Sequence, residues 1–157
     1  MDALEPVYLT AEGVEKLRQE LGQLVEEKRP ALAARLRHAI QQGDLSENAD
    51  YQAAKEEQGF LEGRIQQIEA MLRRAVIIED EGPRDAVGLG SRVTVVEDGF
   101  DDQEIFHIVG PVEADPDNGK VSNESPLGRA LLGHRVGEEV SVEAPGGEIV
   151  FKITDIA

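Results

Sequence analysis

The chain has 157 residues, 40% of them hydrophobic, no cysteine, and 32 acidic against 16 basic residues, a formal net charge of -16. That length fits one domain or two small ones with a buried core, and the composition excludes a disordered tail. The charge argues against unaided, broad binding to RNA or DNA, which needs a basic face to neutralise phosphate. Absence of cysteine removes both a disulfide framework and a thiolate metal site and suits a reducing compartment.

The N-terminal "MDALEPVYLT" carries an early acid and a proline but no apolar run of signal-peptide length, and nowhere do about 18 apolar residues follow one another. The chain reads as soluble and cytoplasmic, without membrane contact. From Thr10 onward Val14, Leu17, Leu21 and Leu24 repeat at the spacing of a coiled-coil seam. Thr10 is placed to cap this helix, with Glu12 and Glu15 in the first turns where the helix dipole favours acids. Pro30 lacks a donor and clashes with the preceding turn, which predicts a kink or brief break near Lys28 to Pro30. Leu32, Leu36, Ala39 and Ile40 resume the stripe, and Gly43 is its C-terminal stop. A second helical run is predicted from near Ser46, with Ala54, Leu61, Ile65, Ile68, Leu72 and Ala75 as its seam. Two long amphipathic helices joined by a few residues lie antiparallel, each covering the other's stripe. Roughly 27 residues per arm at ~1.5 Å each make a finger about 40 Å long.

After Ala75 the period changes. "VIIEDEGPRDAVGLG" mixes acids, Gly and Pro and reads as a linker, and short β-type runs follow: "SRVTVVE", "EIFHIV", "KVS", "EVSVE" and "EIVFKITDI". Pro145, Gly146 and Gly147 form a hairpin turn between the last two. "SPLGRALLG" reads as one short helix, started by Ser125 with Pro126 at its first position and ended by Gly133. The expected fold class is therefore α+β: a coiled-coil hairpin over 1–78, a linker over 79–90, and a small antiparallel sheet domain with one helix over 91–157. Residues 1–79 hold 10 basic and 15 acidic residues, net -5, and 80–157 hold 6 and 17, net -11. A partner docking on the sheet domain is thus expected to be basic or mixed where they meet.

The turn "GDLSEN" between the helices gathers acids. On spacing alone Asp44 as helix cap with Glu47 three residues on makes a capping box, which is the commoner use of such a pattern. The same two carboxylates would also suit a hard cation such as Mg²⁺, which takes oxygen ligands and keeps waters or substrate phosphates in its octahedron. Two acids alone make a weak site, so that use requires insertion into another molecule that already holds the metal.

"GDLSENADYQAAKEEQGFLEGRI", Gly43 to Ile65, closely resembles the tip signature of the bacterial transcript-cleavage factors, the Gre family, and within it the GreA type. The agreement continues through "LTAEGVEKLRQEL", "VSNESPLGRALLG" and "PGGE", and so covers nearly the whole chain. The resemblance implies an N-terminal antiparallel coiled coil and a C-terminal domain of FKBP-like fold without prolyl isomerase activity. It further implies docking on bacterial RNA polymerase at the rim of its secondary channel, against a coiled coil of the largest subunit. Asp44 and Glu47 would then assist a second Mg²⁺, held jointly with the polymerase and not tightly by the isolated protein, in hydrolysing the 3′ end of backtracked nascent RNA. The chain would be a factor acting as a monomer, the catalytic centre remaining the polymerase's.

By the same resemblance Asn48, Tyr51, Lys55 and Arg37 are candidates for contact with RNA or the polymerase active site, and Glu124, Ser125 and Pro126 for polymerase binding. Each has a plainer role: Tyr51 packing the first turn against Ile40, Lys55 solvated on the helix surface, Ser125 and Pro126 starting a helix. Where family members often carry a basic residue this chain has Ile40, which implies weaker RNA contact by the finger, although Arg35 and Arg37 lie nearby. His38, His107 and His134 lack metal-ligand spacing and read as surface or sheet residues. Two other functions compete: a channel-binding regulator that promotes no hydrolysis, and a structural coiled-coil adaptor. Retention of both tip acids favours cleavage over the first, and the full-chain resemblance opposes the second.

Overall fold

The computed structural model describes residues 5–43, 48–78 and 84–157. The chain is α+β and divides into two compact units, one holding Glu5 and Val14–Ala75, the other Pro6–Gly13 with Val76–Ala157. This differs from a simple division into halves, because the first strand and the first helical residues belong to the C-terminal unit.

The helical unit is a hairpin. Helix α1 (Ala11–Gln23) runs through a π-helical turn, Leu24–Lys28, into α2 (Arg29–Gln41), and α3 (Ala49–Arg73) returns. Thr10 caps α1, its Oγ1 accepting from Gly13 N–H at 3.0 Å. The break expected near Pro30 is this π turn, in which Arg29 N–H bonds to Leu24 O. An α-helical Pro30 would have no N–H for the Glu26 carbonyl and would crowd it, and the wider turn relieves both problems. Apolar spacing asks for the same turn. Continued strictly, the seam of Val14, Leu17, Leu21 and Leu24 would fall on Lys28, Ala31, Arg35 and His38. The buried residues are instead Leu32, Leu36 and Ala39, one position later. A π turn absorbs that one extra residue.

The arms are antiparallel, since ion-pair partners fall in number as the first arm rises: Glu20–Arg64, Arg29–Glu62 and Arg35–Glu57, each at 2.7 Å. These pairs are solvent-exposed and add little stability, but they discriminate between registers. On α3 the buried residues are Ala54, Ile65, Ile68 and Met71, while Leu61 and Leu72 are half-covered. Ala75 does not end the seam. It opens strand β2 (Ala75–Ile78), which pairs with β1 (Val7–Thr10) in a two-stranded sheet. A four-residue run of apolar residues carries no period of its own, and only its distant partner makes it a strand.

The sheet unit holds β3 (Arg92–Glu97), β4 (Gln103–Val109), β5 (Lys120–Ser122), β6 (Glu139–Ala144) and β7 (Gly147–Ile156) in the order β5-β4-β3-β7-β6. All expected runs became strands. The sheet is not wholly antiparallel: β5 lies parallel to β4, Ile108 facing Val121, because residues 110–119 make a crossover with two short 3₁₀ turns rather than a hairpin. Ala144 faces Gly147 across the Pro145–Gly146 turn. Alternate residues Val93, Val95, Val140, Val142, Phe151 and Ile153 point into one core with Ile108 and Leu131, and Phe151 meets Phe106 edge-on at 6.1 Å between ring centroids. Of the stretch read as a linker, residues 79–83 lie outside the described residues. Val87 in its latter half is a core residue at 4% exposure, and Ala86 bridges to Arg135.

Helix α4 (Pro126–Leu131) starts as expected, with Ser125 Oγ accepting from Gly128 N–H at 3.1 Å. A Cβ at Gly128 would sit 2.0 Å from the Ser122 backbone oxygen. Gly128→Ala should therefore force α4 off β5 and cost about 1–3 kcal/mol, read as a lower urea midpoint.

On β4, burial and then the neighbouring Arg92 and Lys120 cations push His107 below the usual imidazole range, with Glu113 and Glu12 opposing. The unfolded chain takes up this proton near pH ~6.5 and the folded chain only at lower pH. The stability that His107 contributes is thus complete above about pH 6.5 and lost as pH falls toward the folded value. Urea midpoints measured from pH 7.5 downward should decline through this window, and His107→Gln should flatten the decline.

Candidate functional site

Asp44 and Glu47, with Leu45 and Ser46, lie outside the described residues, so the tip is defined by the two helix ends that flank it. On one side Gly43, at φ +113, closes α2, with Gln42 N–H on Ala39 O at 3.2 Å and Gly43 N–H on Ile40 O at 3.4 Å. On the other side Asn48 is extended and caps α3, its Oδ1 accepting from Tyr51 N–H at 3.0 Å. Asn48 Nδ2 also donates to Ala39 O at 2.8 Å. One amide thus caps the outgoing helix and ties it to the incoming one.

This corrects the expected helix start near Ser46 with Asp44 as its cap: α3 begins at Ala49 and Asn48 is the cap residue. The choice has a physical reason. An ionised carboxylate can accept the N–H of the helix but has no proton to give Ala39 O, whereas the Asn amide does both. Asp44, Ser46 and Asn48 are all capping residue types, so local sequence did not separate them.

Tyr51 is half-buried and packs on the cluster of Leu32, Leu36 and Ala54, while Ile40 is 52% exposed. Lys55 is exposed, its Nζ donating to Gln58 Oε1 at 3.0 Å, and Arg37 is exposed on α2. Among the described residues no cluster of three or more His, Cys, Asp or Glu side chains gathers that could hold a metal. Mg²⁺ takes about six oxygen ligands, more than the two carboxylates of Asp44 and Glu47 could supply by themselves.

The second group of predicted residues sits where β5 turns into α4. Glu124 and Pro126 are exposed. Ser122 organises the turn: its Oγ accepts from Glu124 N–H at 3.0 Å and its carbonyl accepts from Ser125 Oγ at 2.6 Å. Arg129 Nε donates to Glu124 O at 2.7 Å. Glu124, Ser125 and Pro126 are therefore held on a rigid corner. Ser122 was not singled out from sequence, although Ser three residues before a helix-capping Ser is a recognisable turn pattern. Asn123 Oδ1 at the same corner is buried without a hydrogen-bond partner among the described residues.

The sheet unit also carries an open cleft of about 300 Å³ bordered by Thr10, Ala11, Glu12, Ile77, Ile78, Gly90, Arg92 and His107. Of the histidines, His38 is exposed on α2 beside Gln42, His107 lies on β4, and His134 lies 2.9 Å from Glu138, whose carboxyl this contact holds below the usual range. Among the described residues no helix is long and apolar enough to cross a membrane.

Two family models match: "Transcription elongation factor, N-terminal" over residues 7–77 and "Transcription elongation factor, GreA/GreB, C-term" over residues 82–157. The chain is 51% identical over 156 residues to transcription elongation factor GreA of Bacillus subtilis, covering 99% of each. It is 47% identical to GreA of Thermomicrobium roseum, covering 98% of this chain and 99% of that one. Among solved structures, GreA factor homolog 1 of Thermus thermophilus is 34% identical, with 98% of this chain and 99% of that one covered and a TM-score of 0.45.

The double role of Asn48 separates two variants. Asn48→Ala loses cap and tie together and should cost about 1–2 kcal/mol. Asn48→Asp keeps the cap but loses the tie, leaving Ala39 O only the Gln42 N–H, and should lie between wild type and Asn48→Ala. Thermal melts of the full chain, followed by helical circular dichroism, would check the order.

Proposed function

Because this chain belongs to the GreA/GreB family of transcription elongation factors, we propose that it docks on bacterial RNA polymerase at the rim of the secondary channel and stimulates cleavage of backtracked RNA. The sheet unit, through Glu124, Ser125 and Pro126, meets a coiled coil of the largest subunit. The finger brings Asp44 and Glu47 to the polymerase's catalytic centre. Hydrolysis there removes the 3′ end of the nascent RNA and leaves a new end in register. The observation that supports this reading best is the cap: Asn48 satisfies the start of α3, so neither acid is needed as its cap residue.

In this reading Mg²⁺, shared with the polymerase, supplies Lewis acidity and a more acidic water when bound. Asp44 and Glu47 provide negative charge and oxygen acceptors that orient that water. Asn48, with Nδ2 and Oδ1 both engaged, acts by setting the tip on its helices. Tyr51, half-buried, offers one ring edge to RNA or protein. Lys55 and Arg37 are exposed cations available to RNA phosphate. A rigid corner at Ser125 suits docking because little order has to be gained on binding.

The test is the pair Asp44→Asn and Glu47→Gln. With the cap elsewhere, each should change stability by less than about 1 kcal/mol. An amide is a much poorer Mg²⁺ ligand, and a loss of about 3–4 kcal/mol in the transition state slows cleavage by roughly 10² to 10³. Backtracked complexes with 3′-labelled RNA and saturating factor should show both variants binding but cleaving slowly, with Asp44→Asn partly rescued by higher Mg²⁺. Wild-type protein that binds and occupies the channel without cleaving would instead make this a binding-only regulator.

A further inference from the structure

A row of basic side chains crosses three strands of the sheet. In the paired register Arg92 on β3 stands opposite His107 on β4, and His107 stands opposite Lys120 on β5. The adjacent Val93, Ile108 and Val121 belong to the core, so by the alternation of strands the row lies on the other face. This placement is uncommon for an acidic unit. Residues 80–157 hold 6 basic against 17 acidic residues, yet two of the six flank one histidine. Like charges brought side by side weaken a sheet, so strand pairing does not explain the row. Arg92 and His107 also border the open cleft of about 300 Å³, together with the apolar Ala11, Ile77 and Ile78 and the acid Glu12. Every residue on that border belongs to the sheet unit. Small-ligand sites run from roughly 300 to 1,000 Å³ and are mostly apolar, with a few polar groups that fix orientation. The cleft has that make-up at the small end of the range.

The charges around His107 decide what the cleft suits. Arg92 and Lys120 act on it more strongly than the opposing Glu113 and Glu12, so the potential at the imidazole is positive. Glu113 is already committed, its carboxylate accepting the Thr10 N–H at 2.6 Å and the Thr10 hydroxyl. Glu12 is exposed, where water and salt screen it. With Glu12 at the same border, one negative charge fits better than two. An Arg fork matches a carboxylate in geometry, and its five donors serve more than one partner at once. We propose that this cleft binds a small apolar carboxylate, whose charged end accepts from Arg92 beside His107 and whose hydrocarbon body lies against Ala11, Ile77 and Ile78. This site is separate from the cleavage chemistry proposed above and does not depend on it.

The full-length protein, isotope-labelled and free of partners, would be titrated with 1-naphthoate and followed by its amide resonances. Saturable shifts should gather at Thr10, Gly90, Arg92 and His107. Naphthalene-1-methanol has the body without the charge and acetate the charge without the body, so each should bind about tenfold more weakly or worse. 1-Naphthyl phosphate, largely a dianion at pH ~7.5, should bind no more tightly than 1-naphthoate. Arg92→Gln should weaken binding by about tenfold or more, and Arg92→Lys, which keeps the charge but loses the fork, by less. Glu12→Gln removes the acid at the border and should tighten binding by about twofold or more. A bound carboxylate offsets the cations that hold His107 neutral, so binding takes up a proton there. Affinity should therefore rise about threefold or more as pH falls from ~7.5 to ~5.5, where 1-naphthoate stays ionised, and His107→Gln should abolish the rise. Shifts spread evenly over the surface, equal binding of naphthalene-1-methanol, or wild-type affinity in both Arg92→Gln and Glu12→Gln would each overturn the site. Tighter binding of 1-naphthyl phosphate would overturn the carboxylate as its ligand.

Discussion

A hairpin of two helices has no third layer. Each arm can bury only the stripe that faces its partner, and the residues beside that stripe stay half in water: Leu21, Leu24, Leu61 and Leu72 are all in this position. A narrow core tolerates sliding, because one Leu can replace another across the seam at small cost. Directional contacts must therefore specify the register. The Arg29–Glu62, Arg35–Glu57 and Arg64–Glu20 pairs do so along the shaft, and the Asn48 amide on Ala39 O does so at the end. Even the kink obeys the same demand, since the extra residue at Leu24–Lys28 returns Leu32, Leu36 and Ala39 to the buried side.

The sheet unit solves a different problem. Its core of Val, Ile and Phe is closed on the covered face by α4, and close backbone approach at Gly128 holds helix and strand together. The unit carries most of the chain's excess acidity over residues 80–157. Surface charge of one sign opposes self-association and favours encounter with basic partners.

Much of this was readable locally. Thr10, Gly43 and Ser125 act as caps and stops because their chemistry is satisfied within three residues. The strands of the sheet announced themselves by alternation. What sequence did not reveal depends on distant partners. Strands β1 and β2 are four residues each and exist through each other. The parallel seat of β5 follows from a crossover path, not from "KVS" itself. Asn48 prevailed over Asp44 as the cap because of a carbonyl on the other helix. The tip acids are a separate case: the role proposed for them comes only from the resemblance of the surrounding string, as acids in a turn have common local uses.

The π turn has a consequence for how such a finger can be altered. One residue of helix contributes about 1.5 Å of length but about 100° of rotation. A single residue gained or lost within Leu24–Lys28 would leave the length of the arm almost untouched while turning Leu32, Leu36 and Ala39 by more than a quarter of a circle, off the stripe that they bury. Length and phase are thus constrained very differently at this turn: the arm tolerates a small change of length, but its apolar stripe tolerates no change of phase. An insertion or deletion here requires a matching shift of the apolar positions along the rest of α2.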